Sequence, residues 1–183
     1  MTRAELEDFI LMANFDIGDP LIWGTVAVLG QFPNPPPEIA RFIEEELFPD
    51  GNPPLPLPTL ERLALDAEIR EMSGALDPEA EKRESDAAKE SLVNLPAGWD
   101  ERLIAVKSER TCGVTGWCVE VHDLAVSKLA AGGEKELRFV SLLARAKMIA
   151  GQTLMERIAA LRLPEQEREL VRQRWQTLSQ IRE

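Results

Sequence analysis

The chain has no tyrosine, one histidine and two cysteines in 183 residues. A C-x5-C pair, Cys112 and Cys118, with a single histidine fits no usual zinc pattern. Reduced thiols are the expectation. Basic charge is also scarce: Lys+Arg number 21 against 32 Asp+Glu, for a net charge of −11. That speaks against extensive nucleic-acid binding, which needs many phosphate-neutralising cations. Long apolar runs are missing too. LIWGTVAVLG is interrupted and too short to span a bilayer. The opening MTRAELEDF is acidic and polar from the start, unlike a signal peptide. These absences predict a cytoplasmic protein with no membrane partner.

Hydrophobic residues make up 44% of the chain, so it is globular. Its length suits one domain, or one domain with a small helical appendage. The charge is uneven. Residues 1–122 carry 10 basic and 24 acidic groups, and residues 123–183 carry 11 basic and 8 acidic groups. An acidic first part and a mildly basic second part can attract each other, or the basic helices can meet an anionic ligand.

The patterning predicts an α/β (α+β) fold: a small mixed sheet with helices, followed by a helical C-terminal part. The expected division is 1–121, with an insert at 50–94, and 122–183. TRAELEDFILMANF reads as a helix opened by a Thr2–Glu5 capping box. The first half of LIWGTVAVLG reads as a buried strand; its second half suits strand or helix. EIARFIEEELF reads as a helix that passes into a strand near Glu46–Phe48. The prolines between Pro49 and Pro58 exclude helix and central strand there. TLERLALDAEIREM is an expected helix, and residues 77–92 a solvated charged stretch. ERLIAV and GWCVEV suggest an antiparallel hairpin. After Val121 the pattern is helical, with breaks at Gly132-Gly133, a Thr153 cap and Pro164 as a helix opener.

Three places can carry chemistry. Gly24-Thr25 follows a strand, where a glycine lets backbone approach a phosphate and a hydroxyl can donate to it. An ordinary packing turn reads the same way. Glu44 and Glu46 share a side if the segment is extended, as two metal-holding carboxylates would. If it is helical they point apart. His122-Asp123 either forms a reactive pair or starts a helix, and no nucleophile motif accompanies it. Lys128 can reach a phosphate or snorkel from a half-buried face.

In order, WGTVAVLGQFP, EEELFP, LPAGWDERLIAV and GWCVEVHDLAVSKLAAGGEKELRFV resemble the motifs of a largely uncharacterised bacterial family of nucleotidyltransferase-like proteins. That family is distantly similar to the nucleotidyltransferase toxins of abortive-infection systems. The match is close over residues 21–49 and 95–150. The resemblance implies a polymerase-β-type fold, with NTP as ligand and Mg²⁺ as cofactor. It implies that Gly24, Thr25, Lys128 and Lys135 bind nucleotide, and that Glu44 and Glu46 hold the metal and act in catalysis. His122 and Asp123 then start a helix beside the cleft. Several positions depart from the family pattern. Thr25 replaces serine, Glu46 replaces aspartate, and Gly133 stands where an arginine is usual. The family's Gly- and Tyr-rich central block has no counterpart. Two functions follow: transfer of a nucleoside monophosphate to RNA or protein, impaired by these losses, or a non-catalytic relative acting as a protein partner in a toxin–antitoxin or defence pair.

Overall fold

The computed structural model describes residues 1–17, 19–22, 24–47 and 94–180. The helix expected from TLERLALDAEIREM, the charged stretch at 77–92 and the prolines between 49 and 58 lie outside them. Seven α-helices and a three-stranded mixed sheet are present among the described residues: α1 (Arg3–Ile17), β1 (Leu21–Ile22), α2 (Val28–Gln31), α3 (Pro37–Leu47), β2 (Ile104–Val106), β3 (Gly116–Cys118), α4 (Val121–Ala131), α5 (Glu134–Arg145), α6 (Gly151–Ala159) and α7 (Glu165–Gln180).

α1 begins as its sequence dictates. The Thr2 hydroxyl accepts from the Glu5 backbone N–H at 3.3 Å, and the Glu5 carboxylate accepts from the Thr2 N–H at 2.6 Å. This reciprocal pair satisfies two of the helix's unpaired donors. Leu6 and Ile10, four residues apart, are then fully buried.

The sheet order is β1-β3-β2. β2 and β3 form the expected antiparallel hairpin, with Ile104 opposite Cys118 and Val106 opposite Gly116. β1 pairs parallel to β3, Leu21 opposite Trp117. Ile22, Val106 and Cys118 point inward, whereas Leu21 and Trp117 are exposed. Two elements lie very close to the inner face. A Cβ on Gly30 of α2 would fall 2.6 Å from the Cys118 sulfur, and one on Gly116 would run into the Ile10 side chain of α1. Glycine at both positions sets these spacings.

α4 crosses the middle of the molecule and packs against α5, α6 and α7. Leu124, Ala125, Val126 and Leu129 of α4 are buried together with Phe139 and Leu143 of α5, Leu154 and Ile158 of α6, and Val171 and Trp175 of α7. α4 ends at Gly132, which takes a left-handed φ of 71°. The Arg174 guanidinium of α7 sits where a Gly132 Cβ would be, and donates to the Leu129 and Ala130 carbonyls at 2.7 and 2.8 Å. An arginine from another helix thus satisfies two of the unpaired C-terminal carbonyls of α4.

Two local expectations change. The segment holding Glu44–Glu46 is helical to Leu47, so no strand begins at Glu46. Pro37 opens this helix with its fixed φ, and Ile39, Phe42 and Ile43 are buried at i, i+3 and i+4. That spacing makes one face only with helical periodicity. Thr153 does not cap α6, which starts at Gly151 after Ala150. The Ala150 N–H is instead taken up by the His122 ring.

Candidate functional site

Gly24 and Thr25 lie where β1 turns into a single 3₁₀ turn, Thr25–Ala27, that leads into α2. Gly24 is extended, with φ −73°, and its carbonyl accepts the Ala27 N–H at 2.9 Å. A Cβ added there would make an ordinary contact with the Val26 side chain at 3.9 Å. Thr25 is 3% exposed. Its hydroxyl donates to one oxygen of Glu46. The other Glu46 oxygen receives the Lys135 ammonium at 3.2 Å.

Packing between α3 and α5 fixes this group. Phe42 stacks on Phe139 with ring centroids 5.2 Å apart, and the Arg138 guanidinium lies 5.5 Å from the Phe42 centroid. Arg138 also pairs with Glu45 at 3.6 Å. These contacts set α3 beside α5, so Glu46 reaches Lys135, the second residue of α5. Three of the residues singled out in the sequence, Thr25, Glu46 and Lys135, therefore meet across three elements.

Glu44 does not join them. Two residues apart on a helix is about 200° around the axis. Glu44 is 65% exposed and pairs with the Met1 amino group at 3.7 Å. Glu44 and Glu46 thus cannot grip one ion from the same side, which was the arrangement expected of an extended segment. Among the described residues no three His, Cys, Asp or Glu side chains gather as a metal site. Among the described residues, Glu44 and Glu46 do not fit a two-carboxylate magnesium centre. Lys128 is half-buried on α4. Gly133 begins α5 with φ −67°, and a side chain there would meet only the flexible end of Glu136.

His122 and Asp123 occupy the first turn of α4. The cap is Glu120, whose carboxylate accepts the His122 and Asp123 N–H groups at 3.0 and 3.4 Å. His122 Nε2 accepts the Ala150 N–H at 2.9 Å, so the ring proton sits on Nδ1 and is donated to Glu120 at 2.7 Å. Burial works against the charge of Glu120. The hydrogen bond from His122 and the two backbone donors outweigh burial and hold its pKa below the ordinary value.

Asp123 is completely buried. Arg102 grips it with two bonds, Nε at 2.8 Å and Nη2 at 3.0 Å, and Arg157 of α6 approaches at 3.3 Å. Arg102 also donates to the Ala97 carbonyl at 3.2 Å. Burial pushes the Asp123 pKa up. The two guanidinium groups pull it down and the Glu120 charge adds to the rise, leaving it above the ordinary value. This ionic cluster ties the loop at 95–102, α4 and α6 together. Arg102, Glu120 and Arg157 were not singled out from the sequence. The usable signal was α4 itself: it is apolar on nearly every side, so an aspartate within it needs a buried cation.

Residues 59–180, about two thirds of the chain, match the family described as nucleotidyltransferase of unknown function, DUF6036. The chain belongs to that family. The match includes His122, Asp123, Lys128 and Lys135, and begins after Gly24, Thr25, Glu44 and Glu46. No curated protein and no solved structure matches the chain. No helix among the described residues is long and apolar enough to cross a membrane.

Proposed function

We propose that this nucleotidyltransferase-family chain binds an NTP at the Thr25–Lys135 edge and transfers nucleotide poorly or not at all. One observation supports this above the others. The carboxylates expected to hold magnesium, Glu44 and Glu46, diverge around a helix. Phosphoryl transfer rests almost entirely on positioning and on neutralising the charge of the phosphates. With one carboxylate, Mg²⁺ arriving on the triphosphate finds at most one of these two acids as a ligand. A polymerase-β-type centre needs more.

What remains is a scaffold and a small polar site. Such a protein acts by binding, and its partner is then another protein. Calorimetric titration of NTP with Mg²⁺ tests the ligand. Binding in the range of about 0.1–1 mM is expected, a free energy of roughly 4–5.5 kcal/mol. Absence of binding at those concentrations would remove the nucleotide from the proposal.

A further inference from the structure

We infer that Glu46 is an internal occupant of an anion site formed by the Thr25 hydroxyl and the Lys135 ammonium, and that a phosphoryl group binds there by displacing it. The inference rests on the reading of the Thr25–Lys135 edge as the nucleotide site, and adds its regulation. Both Glu46 oxygens are engaged, one with a hydroxyl donor and one with an ammonium. A phosphate oxygen pair takes the same two donors. The Thr25 hydroxyl is buried and turned to Glu46, while Lys135 is 54% exposed and can follow an incoming group.

Glu46 is well placed to leave. It stands next to the last residue of α3, and Ile39, Phe42, Ile43 and the Phe42–Phe139 stack hold that helix without it. Its side chain is 21% exposed, so the released carboxylate has a short way to water. In the closed form the site is neutral overall and repels no anion, yet both donors are taken. The same contact that orders the site therefore weakens its affinity. A metal-holding role for Glu46 makes the opposite prediction, because its loss would then weaken binding.

The test is calorimetric titration of tripolyphosphate in EDTA, which keeps divalent cations out, into wild type and Glu46→Ala. Glu46→Ala is expected to bind about tenfold more tightly, a gain of about 1.4 kcal/mol. Glu45→Ala removes the same charge one residue away and should shift affinity less than about twofold, since exposed charges are well screened. Adding Lys135→Ala to Glu46→Ala should abolish the gain. If Glu46→Ala does not fold, Glu46→Gln keeps the volume and should still tighten binding. Unchanged affinity on loss of Glu46, or equal gains at positions 45 and 46, overturns the inference. So does weaker binding of Mg²⁺-NTP to Glu46→Ala. None of these outcomes measures transfer, so the reading of impaired turnover stands or falls separately.

Discussion

Replacing Asp123 with alanine removes the anion at the centre of a buried ionic cluster. Asp123 is fully enclosed, and its two oxygens take two bonds from Arg102 and an ion pair from Arg157 at 3.3 Å. Without it, two guanidinium groups face each other across a cavity. Breaking a buried pair by deleting one partner costs about 3–5 kcal/mol. Arg102 and Arg157 are 22% and 27% exposed, so water can reach part of each, and the lower end applies. A loss of about 3 kcal/mol is a large share of the 5–15 kcal/mol that holds a typical domain. At this chain length it corresponds to a fall in Tm of roughly 6–12 °C. Urea unfolding followed by tryptophan fluorescence, to which buried Trp175 contributes, measures it. Arg102→Lys should lose part of the same energy, because lysine cannot form the two parallel bonds. A loss below about 1 kcal/mol for Asp123→Ala would refute the argument that this cluster joins the 95–102 loop to α4 and α6.

Other outcomes follow from single contacts. Burial pushes the Cys118 thiol up to about 12, against a small opposing effect of Arg3. In the native protein iodoacetamide should therefore label exposed Cys112 and leave Cys118 intact, as peptide mapping would show. Gly132→Ala combines a left-handed φ with displacement of Arg174 and should cost about 1–2 kcal/mol in the same unfolding assay. Glu120 has a folded pKa below its unfolded value of 4.5, so the native state holds fewer protons there. Its stabilisation is present above 4.5 and is lost as pH falls through the lower folded value. The stability gap between wild type and Glu120→Gln should be constant near pH 6–7 and shrink below about 4.5.

Much of the fold is legible in the sequence because its signals are local. Thr2 and Glu5 cap α1 as their spacing indicates, Pro164 precedes α7, and the strand pair around ERLIAV and GWCVEV forms an antiparallel hairpin. The strands are only two or three residues long, so pattern alone overstated their length. The ends of α3 and α6 were misjudged where tertiary contacts decide. Glu46 stays helical where α3 packs on α5, and Ala150 rather than Thr153 precedes α6, its N–H taken by His122. The candidate site was half visible. Thr25, Glu46 and Lys135 meet, but Glu44 is turned away by the helix, which no count of acidic residues reveals. The Arg102–Asp123–Arg157 cluster joins positions far apart in the chain, and nothing in the spacing links them.

The central claim is that this family member keeps a nucleotide-binding edge without an effective metal-holding acid pair. Incubation with Mg²⁺ and NTPs carrying a labelled α-phosphate, with RNA and with protein as acceptors, tests it most directly. The account predicts no labelled product above that of a protein-free control. Labelled product that disappears in Glu44→Ala plus Glu46→Ala would contradict it, because those carboxylates would then have to act together.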